Sequence, residues 1–214
     1  SPSVVAEVIY QKYVNHVPLY RQEQEWKGRD VAFSRTTMAN WTIRCAEDWL
    51  VPVWEAMRKE LLQREVLHAD ETTVQVLKEK GKAPTTKSYM WLYCTGNDGL
   101  PPIVLFDYKT SRSGDNAKAF LEGFHGYLHT DGYAGYNKVP GITRCGCWAH
   151  LRRKFVEAMP LESNCPSPAR IGRDLCDQLF AAEKELQSLP PEQRQEKRLA
   201  VEQPMLRAFW CWAG

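Results

Sequence analysis

The chain has 214 residues, 43% of them hydrophobic and 25% charged, which suits one medium domain with an appendage and excludes a disordered polymer. Lys and Arg outnumber Asp and Glu by only 28 to 26, so net charge alone does not indicate a nucleic-acid partner. No apolar run approaches the roughly 20 residues that span a bilayer, no charged-then-apolar leader opens the chain, and seven cysteines without framework spacing predict reduced thiols in a cytoplasmic protein.

Residues 1–63 read as a helical arm. The stretch SVVAEVIYQKYVNHVPLYRQEQEW carries apolar residues at helical intervals until Pro18 interrupts it. Gly28 is expected to end the next helix, and Ser34 to cap a third, RTTMANWTIRCAEDWL. Met38, Trp41, Cys45 and Trp49 fall at steps of three, four and four, predicting one apolar stripe. Two readings fit this arm: a packing element, or a helix-turn-helix reader of DNA.

From Val66 the pattern turns to strands. VLHADETTVQVL, SYMWLYCTG and PIVLFDYKTS are three strand candidates, the last two joined by a turn at Asn97-Asp98-Gly99. A helix GDNAKAFLEGF leads to a fourth strand, YLHTD, and ITRCGCW is a candidate fifth. This order predicts an α/β core over residues 64–158, with a mixed sheet in which the first and fourth strands lie side by side. Trp91, Tyr93 and Phe106 alternate along strands and are expected in the core. Beyond the core, residues 159–214 return to helix, with breaks expected at PLESNCPSPAR and SLPPEQRQ.

Asp70 and Asp131 each follow a histidine by two residues, so His68 and His129 share a strand face with their aspartates. If the strands are neighbours, the two carboxylates converge, and close ionised carboxylates repel unless a cation lies between them. Hard oxygen ligands favour Mg2+ or Mn2+, ions that serve phosphoryl transfer. The plain alternative is two solvated carboxylates at strand ends.

The segments HADET, YKTSRSGDNAKAFLEGFHGYLHTDGYAGYN and CGCWAHLRRKF, with KYVNHVPLYRQEQEW and SRTTMANW in the arm, resemble transposases of the insertion sequence 66 family. The resemblance implies a ribonuclease-H-like mixed sheet, flanked by the helical N-terminal arm and the start of a helical insertion. It implies Asp70 and Asp131 as catalytic, metal-binding members of an acidic triad, with Mg2+ or Mn2+ as cofactor. Double-stranded DNA, as transposon end and target, is the implied partner, bound by a multimer of the chain. The family's third acid is a Glu within an Asp-Asn-Asn-x-x-Glu motif, which this sequence lacks; Glu157 is the local substitute. Both ends of the chain look cut, so a fragment inert by itself is expected. A non-catalytic DNA-binding remnant is the alternative, and a nuclease for RNA–DNA hybrids a third reading.

Arg112, Arg152, Arg153 and Lys154 are the expected phosphate contacts, and the lysines from Lys78 to Lys87 offer a further basic loop. The Cys147-x-x-His150 element resembles a signature of several transposase groups, read as a structural brace beside the site. With Cys145 it offers three zinc ligands, one short of a tetrahedral structural site.

Overall fold

A computed structural model of the protein describes residues 1–160 and 167–214. Five strands form one mixed sheet in the order β3-β2-β1-β4-β5. These are β1 (Val66–Gln75), β2 (Lys87–Thr95), β3 (Val104–Lys109), β4 (Tyr127–Thr130) and β5 (Thr143–Gly146). The first three pair antiparallel through local turns, while β4 returns parallel to β1 and β5 parallel to β4. A parallel return needs a crossover, and α5 (Gly114–Phe120) supplies it. The side-by-side placement of first and fourth strands expected from the element order is therefore found, and the mixed α/β architecture is of the ribonuclease-H-like kind.

Strand alternation sorts residues between the two faces. Leu67, Ala69, Trp91, Tyr93, Leu105 and Leu128 point into a core closed by Ala117, Phe120 and Leu121 of α5 and its end. The arm contributes to the same core. It consists of α1 (Pro2–Tyr13), α2 (Leu19–Lys27), α3 (Arg35–Cys45), a π-helical segment Ala46–Leu50, and α4 (Val51–Leu61). Leu61 is buried among the core residues, and Trp54 and Met57 pack against them. Arg58 of α4 donates from Nε to the Phe120 carbonyl at 2.9 Å and from Nη2 to the Ala119 carbonyl at 3.1 Å, capping the end of α5.

Pro18 stands just before α2, Gly28 just after it, and the Ser34 hydroxyl accepts the Thr37 N–H at 3.1 Å, as expected of an N-cap. The apolar stripe does not persist. Met38 is fully buried, but Trp49 is 71% exposed. The π-helical turn inserts one residue per turn and rotates Trp49 off the stripe. Pro52, in the first turn of α4, has no N–H to offer the Asp48 carbonyl and would clash with it in an unbroken α-helix.

Phe106 is also a correction. It pairs with Leu92, on the face opposite Trp91 and Tyr93, and is 58% exposed. Beyond β5, α6 (Trp148–Glu157) packs against α7 (Pro168–Leu186), and α7 against α8 (Pro191–Ala213), around Trp148, Phe155, Phe209 and Trp212. The break at SLPPEQRQ falls between α7 and α8, whereas residues 161–166 of the earlier expected break lie outside the described residues. Among the described residues no helix is long and apolar enough to cross a membrane.

Candidate acidic site on β1 and at the end of β4

The parallel register pairs His68 with His129, and each aspartate lies two residues further along its own strand. The register thus gives Asp70 and Asp131 matching positions on adjacent chain segments, Asp70 within β1 and Asp131 just past the end of β4. Asp70 is exposed, and its Oδ1 accepts the neighbouring Glu71 N–H at 2.9 Å. Asp131 begins the loop after β4. Its Oδ1 accepts the Tyr133 N–H at 2.9 Å, which leaves Oδ2 facing Arg112, whose Nη2 is 3.9 Å away.

That loop is fixed by Arg144 on β5. The guanidinium donates to the carbonyls of Asp131 at 2.7 Å and Tyr133 at 2.8 Å, and to Thr130 Oγ1 at 3.0 Å. Three positions within four residues are thus held by one planar fork, the geometry for which arginine is suited. Arg144 was not among the expected site residues; its position opposite Leu128 in the β4–β5 register could not be known without the pairing.

Glu71 was overlooked as well. It shares the core-facing parity of Leu67 and Ala69, and its side chain is 1% exposed. Oε1 receives Arg112 Nε at 2.7 Å and Nη2 at 2.6 Å, while Oε2 receives the Tyr136 hydroxyl at 2.6 Å. Burial pushes the Tyr136 phenol upward in pKa, and its bond to Glu71 and the charges of Glu71 and Asp70 push the same way. Arg112 lies over the Tyr133 ring, 4.1 Å from its centre, and the Tyr133 hydroxyl donates to the Arg112 carbonyl. The signal was present: an acid at a core-parity position must find a cation or a donor.

One row below the aspartates, His68 Nδ1 and His129 Nδ1 are 3.0 Å apart, with rings packed edge-on. Burial lowers both pKa values. The charge of His129 adds to this for His68, and that of His150 for His129, against a bond from His129 to Gly146 that acts in the opposite direction.

The remaining expected site residues are placed as follows. Cys147 caps α6, and its backbone N–H donates to the Thr130 carbonyl at 3.0 Å, tying the helix start to the end of β4. His150 Nδ1 is buried without a hydrogen-bond partner among the described residues. Arg152 pairs with Asp177 of α7, and Lys154 Nζ lies 2.7 Å from Glu157. Glu157, on the last turn of α6, is exposed, and its bond from Lys154 lowers its pKa. Arg153 is exposed and joins no ion pair among the described residues. Lys82 of the basic loop is taken up by Glu79, Ser88 and the Thr110 carbonyl. Among the described residues no three or more His, Cys, Asp or Glu side chains are gathered so as to hold a metal ion.

The chain is 26% identical over 232 aligned residues to "Uncharacterized protein y4hP" of Sinorhizobium fredii, an alignment covering 99% of the chain and 41% of that relative. It is 32% identical to "Uncharacterized protein y4qI" of the same organism, over 72% of the chain and 31% of the relative. A third relative there, "Uncharacterized protein y4jD", is 28% identical over 96% of the chain and 42% of its own length. The chain therefore spans less than half the length of these relatives. No solved structure matches it. A family model described as "Transposase IS66 family" matches residues 1–214, and the chain belongs to that family.

Proposed function

We propose that this chain is part of the catalytic region of a DNA transposase, in which Asp70 and Asp131 are two carboxylates of a divalent-cation site. One observation carries the reading: in a chain of this family, the two aspartates each stand two residues beyond a paired histidine, His68 or His129, of neighbouring parallel strands. Their donor chemistry fits the cation. Both offer hard oxygens suited to Mg2+ or Mn2+, Asp70 is exposed, and Asp131 keeps Oδ2 outside its bond to Tyr133. A cation there supplies activation of an attacking hydroxyl and stabilisation of charge at phosphorus. The third acid is assigned to the remainder of the longer protein, because Glu157 is engaged by Lys154 on the last turn of α6.

The chain's own residues do the positioning. Arg144 and the Tyr133 N–H hold Asp131, and the β1–β4 ladder sets Asp70 against it. Arg112, Arg152, Arg153 and Lys154 are the proposed phosphate contacts on double-stranded DNA, with Arg153 the most accessible. The paired ends of the element would bring several copies of the protein together in the cytoplasm.

Asp70→Asn or Asp131→Asn in the longer protein is expected to abolish cleavage of element-end DNA while leaving DNA affinity near wild type. Retained cleavage removes that residue from the mechanism. An intact longer protein that binds DNA without cutting it would instead support a DNA-binding or assembly role, and cutting confined to RNA–DNA hybrids would indicate a nuclease.

A further inference from the structure

Glu71 has no part in the site proposed above, yet its surroundings are built. It directly follows Asp70, so alternation turns it to the opposite face, where a carboxylate persists only if its oxygens are satisfied. Both are: Arg112 holds Oε1 and the Tyr136 hydroxyl holds Oε2. The same Arg112 Nη2 that lies 2.6 Å from Glu71 Oε1 lies 3.9 Å from Asp131 Oδ2. One guanidinium nitrogen thus stands between two carboxylates, bonded to the buried one and just beyond hydrogen-bonding distance of the other. Asp131 Oδ1 is occupied by the Tyr133 N–H, so the oxygen facing Arg112 is the one left for a cation.

We infer that Glu71 is a positioning residue that keeps the Arg112 cation on itself and off Asp131, leaving the Asp131 carboxylate open to the divalent ion. The inference rests on the reading of Asp70 and Asp131 as the ion site. Two cations compete for Asp131, and one of them is tethered a short side-chain movement away. With Glu71 charged, Arg112 is neutralised, and the pair presents the ion with a dipole. Without that charge, Asp131 becomes the anion nearest to Arg112. The guanidinium would then close on it as a charge-assisted bond, covering its oxygen and setting an uncompensated positive charge beside the ion.

Mn2+ binding to the longer protein, read from the electron paramagnetic resonance signal of free Mn2+, tests this. Glu71→Gln should weaken binding about tenfold, and adding Arg112→Gln should recover most of the loss, since the competitor is gone. A Glu71 that serves packing alone gives the reverse, a double variant as weak as the single one or weaker, and that result overturns the inference. Unchanged affinity in Glu71→Gln overturns it equally. Should Glu71→Gln not fold, Arg112→Gln alone answers the question: it should bind Mn2+ at least as tightly as wild type, and weaker binding sinks the idea. Asp131→Asn separates the two levels. If it abolishes binding while Glu71→Gln does not weaken it, only the positioning role fails. If the wild type binds no Mn2+ at millimolar concentration, or Asp131→Asn leaves binding intact, the ion site itself fails and takes the inference with it.

Discussion

Tyr136 and Glu71 illustrate how much a single polar side chain can govern in this site. The Tyr136 ring is buried beside Trp91, and its hydroxyl donates to Glu71 Oε2. Tyr136→Phe keeps the ring and removes the donor, leaving a buried carboxylate oxygen unsatisfied. A loss of about 1–3 kcal/mol is expected, measurable by urea denaturation. The two histidines below the aspartates make a pH prediction of definite sign. Their folded pKa values lie below the unfolded value of about 6.5, so below that pH the unfolded chain binds more protons. Their contribution to stability is therefore complete above the unfolded pKa and is lost as the solution is acidified through it. The melting temperature should fall from about pH 7.5 to about pH 5.5. The fall should be smaller in the double variant H68N/H129N, and an equal fall would remove the pair from the explanation. For Arg153, exposed and outside ion pairs among the described residues, Arg153→Gln should weaken DNA binding and lower the salt slope by about one. Arg152→Gln should also loosen the α6–α7 contact that it makes through Asp177.

At the scale of elements, the site depends on close approach between backbones as much as on side chains. A Cβ built on Gly114, at the start of α5, would lie 2.2 Å from the Gly135 carbonyl oxygen in the 3-10 turn Ala134–Lys138. Both segments are backbone at that point and cannot yield as a side-chain tip would. Gly114→Ala should cost about 1–3 kcal/mol or more in urea denaturation, whereas Gly132→Ala, with nothing within 4 Å, should be nearly neutral. The same scale explains which sequence patterns survived folding. Period-two alternation identified the face of Asp70 and His68 because β1 is regular. It misassigned Phe106 because the face of β3 is set by its register with β2, through Leu92, and no property of β3 itself reports that register. The period of 3.6 failed at Trp49 for a related reason: a π-helical turn changes the phase of everything that follows it.

Across the whole molecule, the arm and the sheet are joined by packing. Leu61 is fully buried in the core, and Arg58 closes the carbonyl end of α5. Leu61→Ala should cost about 2–5 kcal/mol. If the arm were an independent unit, the same substitution would leave the melting of the sheet unchanged. Much of this architecture was legible in the residues. Pro18, Gly28 and Ser34 mark helix limits by local chemistry that acts wherever the chain goes, and the order of three strands, helix and strand leaves few right-handed ways to return to the sheet. The aspartates were visible because carboxylates inside strands oppose the local preference for apolar side chains. The sequence could not yield Arg144 as the clamp on the Asp131 loop or Glu71 as the partner of Arg112. Those assignments depend on which strand lies beside which and on the direction in which a loop closes. Local propensity determined the elements and most of their faces; long-range pairing alone decided which charges met, because an ion pair forms between groups that the fold brings together, however far apart they stand in the chain.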